Sequence, residues 1–265
     1  MSGLDRAKAY RRHTGRYSAQ LAARFVCFAG VAPGMRALDV GCGPGALAEE
    51  LAQIVGATGV AAVDPSEEYL AACRVQVPGA NVRVGTAEKL PFEDGSFDAV
   101  LAQLVVQSLD DPPQAAREMR RAAAPGAIVA TCVWHFGGGM PLLDAFWGAA
   151  RRVDPDGARR AGGDDINVWC TREGLDRLWR EAGLEEVETA ELSASAQYQG
   201  LDDAWWSFAA GISPSGVYCR SLDEERRSGL REEFRRRLGS PDGPFHLTAR
   251  AWAVRGKRTD PSRAR

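Results

Sequence analysis

Along the first half of the chain the hydrophobic residues switch between two spacings, and each switch marks an element. Residues 4 to 32 mix Arg and Lys with aromatic and aliphatic positions, and from about Ser18 the residues Leu21, Phe25, Val26 and Phe28 recur at helical intervals. This predicts an amphipathic helix, which Ala32-Pro33-Gly34 ends. Arg36 to Val40 is a short apolar run read as a first strand. Ala46 to Val55 returns to helical spacing with Leu47, Leu51, Ile54 and Val55, and Gly56 stops it. Val60 to Val63 gives a second strand ending at Asp64. Ser66 then caps a helix whose first turn carries Glu67 and Glu68, and Val82 to Val84 is a third strand. Phe97 to Ala102 and Ala127 to Trp134 are a fourth and a fifth strand, separated by a helix that Pro112 or Pro113 opens. Apolar strands alternating with helices at these lengths predict an α/β architecture, a parallel sheet with helices on both faces.

Beyond Trp134 the alternation weakens. Gly137-Gly138-Gly139 leads into a helical stretch with Leu142, Leu143, Phe146 and Trp147, and Asp154 to Asp165 reads as a polar loop. Thr171 caps a helix that Gly183 stops, Leu184 to Leu192 reads as a sixth strand, and Leu201 to Leu238 is helical, Arg-rich and marked by Trp205, Trp206 and Phe208. Phe245 to Val254 is a last strand. The charged tail after Gly256, with Pro261, has the composition of a disordered end.

Composition narrows the partners. The 265 residues are 45% hydrophobic and 26% charged, ordinary for one globular domain with an embellishment, and the formal net charge of -2 supplies no field for nucleic acid. No window approaches the roughly 20 apolar residues of a membrane span. The six cysteines form no CxxC pair, so neither a zinc ribbon nor a disulfide framework is indicated, no metal is expected, and the chain reads as cytoplasmic. The oligomeric state is not encoded in any of these features.

The candidate chemistry centres on Asp39-x-Gly41-x-Gly43-x-Gly45, set between the first strand and the helix after it. Such a turn lets the backbone approach a ligand closely, and the free N–H groups opening the helix favour negative charge. Asp64 stands 19 positions after Gly45, at the end of the next strand, where a carboxylate can accept hydrogen bonds from a ribose diol. A nicotinamide dinucleotide enzyme has a similar pairing, but with glycines spaced GxGxxG. A tight turn without ligand is the bland alternative.

Leu38-Asp39-Val40-Gly41-Cys42-Gly43-Pro44-Gly45, Val63-Asp64-Pro65-Ser66 and Gly85-Thr86-Ala87-Glu88-Lys89-Leu90-Pro91-Phe92-Glu93-Asp94-Gly95-Ser96-Phe97-Asp98 together resemble the class I S-adenosylmethionine-dependent methyltransferases. Within that class they are most similar to the small-molecule group that includes the ubiquinone and menaquinone methylases. The resemblance is close over residues 35 to 135. It implies a Rossmann-like, doubly wound seven-stranded sheet with the last strand antiparallel. Residues 1–265 would be one methyltransferase domain, with an N-terminal helical segment (1–34), a cofactor-binding core (35–135), helical cover insertions (136–170 and 200–240) and the tail (256–265).

The resemblance also implies roles. The backbone around Gly41, Gly43 and Gly45 would hold the methionine end of S-adenosyl-L-methionine with support from Asp39, and Asp64 with Pro65 would take the ribose. Thr86, Ala87 and Glu88 would meet the adenine, while Gln103 and Tyr17 would border the cofactor. Thr86 stands where the family often has Asp, and Gln107 where many relatives carry His. Methyl transfer from sulfonium is an in-line displacement, so alignment and water exclusion matter most, and a base is needed only if the acceptor loses a proton. His135, at the carboxyl edge of the sheet, is the candidate base. Trp134, Trp205 and Trp206 are candidates to line a small hydrophobic or aromatic acceptor, methylated on oxygen, nitrogen or carbon, although aromatics at these spacings also suit a core. A non-catalytic cofactor-binding protein of the same fold is the main rival, and an NAD-dependent oxidoreductase a weaker one.

Overall fold

Caps and glycines decide where this chain turns. The computed structural model describes residues 15–163, 167–211 and 213–259. The start of the N-terminal segment, the end of the 154–165 loop and the tail from 260 lie outside them. Helix α1 (Gly15–Ala29) buries Tyr17, Ser18, Leu21, Ala22, Phe25 and Val26 along one face. Strand β1 (Ala37–Val40) leads to α2 (Ala46–Val55), and β2 (Val60–Asp64) to α3 (Glu67–Gln76), whose cap Ser66 accepts from the Tyr69 N–H at 3.4 Å. After β3 (Asn81–Val84) and β4 (Phe97–Gln103), Asp111 caps α4 (Pro112–Ala122) by accepting from the Gln114 N–H at 2.9 Å, with proline in the first turn. β5 (Ala123–Trp134) follows.

The later elements are α5 (Pro141–Val153), α6 (Pro155–Arg160), α7 (Arg172–Glu181), β6 (Leu184–Tyr198), α8 (Leu201–Ala209), α9 (Pro214–Ser221), α10 (Glu224–Arg237) and β7 (Phe245–Arg258). The sheet has seven strands in the order β3-β2-β1-β4-β5-β7-β6. β1 to β5 pair in parallel, and β7 runs antiparallel to β5, from Ile128 opposite Lys257 to Trp134 opposite Ala251. Every residue of β1 and β2 is buried, as strands covered on both faces require. The order reverses at β1 and β4, and in open α/β sheets ligands bind outside the carboxyl ends at such a point.

Three expectations are corrected. The loop at 154–165 contains α6, because Asp154 accepts from the Gly157 N–H at 3.1 Å and Pro155 supplies a preset first turn. β6 continues past Leu192 to Tyr198, burying alternate residues Ala194, Ala196 and Tyr198 at a period of two. β7 continues through Gly256 to Arg258, so the first part of the expected tail is strand.

The chain divides into two compact units. The first comprises Met1–Trp134, Asn167–Leu192 and Ala251–Arg265, and the second His135–Ile166 and Ser193–Arg250. The second has its own aromatic core: Phe146 stacks on Phe208 at 4.0 Å between centroids, and Trp205 and Phe208 pack on Phe234 at 5.6 and 5.4 Å. Such pairs contribute about 0.5 to 1.5 kcal/mol each beyond their burial.

Candidate cofactor site

The glycine turn after β1 is held by β2. The N–H groups of Gly41 and Cys42 both donate to the Val63 carbonyl, at 2.8 and 3.0 Å, and the Gly43 N–H donates to Asp64 Oδ2 at 3.0 Å. All three glycines have positive φ, +69°, +51° and +99° in order, but their neighbours differ. A side chain at Gly41 would lie 2.5 Å from Val105 Cγ2, and one at Gly45 would lie 3.2 Å from the Cys73 backbone. At Gly43 nothing lies within 4 Å. Two of the glycines are thus required by packing, and the third leaves backbone bare beside open space.

Asp64, only 7% exposed, is oriented from two sides, since its Oδ1 accepts from the Ser66 N–H at 2.9 Å while Oδ2 takes the Gly43 amide. Burial pushes its carboxyl above the ordinary aspartate value, and these two amides partly offset the rise. Each oxygen keeps a lone pair after these bonds. Pro65, exposed, follows it. The Gly85 N–H donates to the Asp64 carbonyl at 3.3 Å, so Thr86, Ala87 and Glu88 leave from beside the same strand end. Ala87 is buried, Glu88 half-buried and Thr86 exposed.

A cleft of about 180 Å³ opens beside the turn, lined in part by Gly15, Ser18, Asp39, Gly41, Cys42 and Gln103. Among the described residues, two buried acceptor atoms here lack a hydrogen-bond partner: Asp39 Oδ2 and Gln103 Oε1. The Gln103 amide is set by Ser18, whose carbonyl accepts from Nε2 at 3.2 Å, so the oxygen faces away from it. Asp39 is 1% exposed, and burial first, then Cys73 and Asp64, hold its carboxyl well above the ordinary aspartate range. Two acceptor oxygens without a partner have room for a hydrogen-bond donor. The ammonium of a methionine moiety is such a donor, and the Asp64 carboxylate next to bare Gly43 suits a diol. The residues therefore fit S-adenosylmethionine.

Tyr17, 5% exposed, packs edge-on against Trp134 at 5.7 Å, and Trp134 is 4% exposed. His135, Trp205 and Trp206 belong to the second unit. The His135 backbone is fixed, its N–H donating to the Arg250 carbonyl at 2.9 Å and its carbonyl accepting from Gly139 at 3.1 Å. Trp205 is part of the aromatic core, while Trp206 is half-buried. Among the described residues no cluster suits a metal ion, and no helix is long and apolar enough to cross a membrane.

Sequence reasoning missed Ser18 and Leu104. Ser18 carried a signal, a polar residue on the buried face of α1 next to Tyr17. Leu104 carried none. It follows Gln103 with φ +61°, a costly conformation for a branched residue, and its N–H donates to the Cys132 carbonyl at 2.8 Å.

A family model described as a methyltransferase domain matches residues 38–131. The ubiquinone/menaquinone biosynthesis C-methyltransferase of Cupriavidus taiwanensis is 33% identical over 184 residues, which take in 63% of this chain and 74% of that protein. An uncharacterized 37.1 kDa transposon protein of Streptomyces fradiae is 41% identical over 98 residues, and there the chain spans only 28% of its relative. The crystal structure of a putative methyltransferase from Bacillus halodurans superposes with a TM-score of 0.59 at 18% identity, over 90% of this chain and 98% of that one, a likeness of fold. The chain belongs to the class I S-adenosylmethionine-dependent methyltransferases, and S-adenosylmethionine is the cofactor of that family.

Proposed function

We propose that this protein methylates a small hydrophobic or aromatic acceptor on oxygen, nitrogen or carbon. The bound cofactor supplies an electrophilic methyl group on a sulfonium. Asp39, Gln103 and the Gly41 backbone would hold its ammonium end, Asp64 with Gly43 and Pro65 its ribose, and Thr86, Ala87 and Glu88 its adenine. Tyr17 would close the side next to Gln103. The observation that carries this assignment is that the two buried acceptor oxygens without a partner, Asp39 Oδ2 and Gln103 Oε1, belong to residues that line one cleft beside a bare glycine turn.

The acceptor's chemistry is supported by the C. taiwanensis relative, a ubiquinone/menaquinone biosynthesis C-methyltransferase, and by the aromatic residues of the second unit. Trp134, Trp205 and Trp206 are the proposed acceptor residues. Trp206, half-buried, has the most surface left for the role. His135 is the proposed base where an acceptor must lose a proton. All six cysteines are free, as in a reducing compartment, and a cytoplasmic enzyme is consistent with that. A cofactor-dependent screen of phenols, amines and quinone-like compounds by mass spectrometry tests the proposal. A mass gain of one methyl group with S-adenosylhomocysteine formed in equal amount is expected, and cofactor binding without turnover on any of these compounds would point to a non-catalytic role.

A further inference from the structure

The segment joining β3 to β4 has little ladder of its own, only a single antiparallel bridge between Thr86 and Lys89. It is held instead from α4. Gln114, Glu118 and Arg121 stand at i, i+4 and i+7, along one face of that helix. Gln114 Nε2 donates to the Glu88 carbonyl at 3.4 Å, and Glu118 Oε2 accepts from the Leu90 N–H at 2.9 Å. Arg121 donates to the carbonyls of Leu90 and Phe92, at 3.2 and 2.9 Å, and to Asp94 Oδ1 at 2.7 Å. The Arg121 carbonyl accepts from the Gly95 N–H at 2.9 Å.

The gripped carbonyls belong to residues 88, 90 and 92, in a segment of turns and bends that runs past the helix face. A helix face thus satisfies backbone groups of a segment that pairs with no neighbouring strand. The grip is itself braced. Arg121 Nε and Nη2 make a two-pronged contact with Glu118 at 2.7 and 2.8 Å, and the Glu118 side chain is only 14% exposed. The guanidinium beside Glu118 holds its carboxyl below the usual range, so the contact stays ionic through mildly acidic pH.

We propose that Gln114, Glu118 and Arg121 are positioning residues for the nucleoside end of the cofactor, setting where Ala87 and Glu88 meet the base and hence the preference for adenine. The inference rests on the proposed placement of adenine against those two residues. Base recognition by a backbone edge and one side chain depends on alignment, because hydrogen bonds weaken steeply as they lengthen and bend. Thr86, exposed where the family often has an acid, leaves the segment's position as the main determinant. Arg121 has no equivalent replacement, because a lysine keeps the charge but cannot reach Glu118, Leu90, Phe92 and Asp94 together.

The test compares S-adenosylhomocysteine with S-inosylhomocysteine, whose base carries a carbonyl oxygen in place of the exocyclic amine, by titration calorimetry on the full chain. The wild-type protein is expected to prefer the adenosyl compound. Arg121→Lys should weaken that compound by about tenfold or more, the scale of lost hydrogen bonds to a charged group, while the inosyl compound moves little, so the ratio falls toward one. Gln114→Ala removes one contact and should shift the ratio the same way by about two- to threefold, which decides the matter if Arg121→Lys does not fold. A lower melting temperature with an unchanged ratio in both variants would overturn the inference and leave a structural brace. Equal wild-type affinity for the two compounds would overturn it while sparing the cofactor assignment. Failure to bind either would remove both.

Discussion

At the scale of single residues, the two aspartates of the site carry opposite consequences for stability and the same consequence for binding. Asp39 is buried with its carboxyl raised well above 3.8, so between that value and its folded-state value the folded protein keeps a proton that the unfolded chain has lost. Its contribution to stability is therefore full below about 3.8 and disappears as pH climbs through the folded value. A cationic ligand group beside it reverses the preference, so cofactor affinity should rise with pH over that window, with proton uptake by the buffer. Calorimetry in buffers of different ionisation enthalpy measures this, and a flat response would separate Asp39 from the ligand. Asp39→Asn is expected to raise the melting temperature of the free protein at neutral pH while weakening S-adenosylhomocysteine by about 1 to 3 kcal/mol, the worth of charge-assisted hydrogen bonds. Asp64→Ala should cost cofactor binding a similar 1 to 3 kcal/mol, roughly. Asp64 also anchors the Gly43 and Ser66 amides, so unlike Asp39→Asn it should lower stability.

At the scale of elements, the strand-turn-helix at 37–55 separates packing from ligand access. Gly41→Ala would press a methyl group 2.5 Å from Val105 Cγ2 at a φ of +69°, and both effects destabilise the free protein. Gly43→Ala meets nothing within 4 Å, so its cost in the free protein is the left-handed backbone alone, about 1 to 2 kcal/mol. Its methyl group points to the open side of the turn, and cofactor affinity should fall by more than stability does. Thermal melts with and without S-adenosylhomocysteine separate the two. A Gly43→Ala protein that binds normally would place the ligand elsewhere. This element was legible in the sequence because its constraints are local: an apolar strand, glycines at alternate positions, an acid one strand later. The grip of α4 on residues 88–95 was not, because Glu118 and Arg121 look like an ordinary solvated helix face until the fold brings Leu90 and Phe92 to them. Helix α6 was missed although Asp154-Pro155 is a start signal, since six polar and small residues carry no hydrophobic period. The strained Leu104 left no trace, because nothing in a leucine announces positive φ.

At the scale of the whole molecule, the candidate residues divide between the two units. Those proposed for the cofactor, with Trp134, lie in the first, and His135, Trp205 and Trp206 lie in the second. That division, visible in the sequence only as a loss of strand-helix alternation after Trp134, makes a kinetic prediction. Substitutions at Asp39, Asp64 or Gly43 should raise the Kd for S-adenosylhomocysteine. His135→Ala and Trp206→Ala should leave that Kd within about twofold of wild type, since neither is assigned a cofactor contact. Of the two, His135→Ala should lower kcat with a phenolic acceptor and leave kcat rising with pH as the acceptor's own hydroxyl ionises, because a base is needed only to take the acceptor's proton. Trp206→Ala should act chiefly on the acceptor's KM. Titration calorimetry with S-adenosylhomocysteine, followed by steady-state rates from pH 6 to about 9, distinguishes the two patterns. Unchanged kcat and an unchanged pH profile in His135→Ala would mean that the acceptor arrives already deprotonated or carries no proton to lose. Methylation would then be a matter of alignment, with the first unit supplying the electrophile and the second contributing no proton-transfer chemistry.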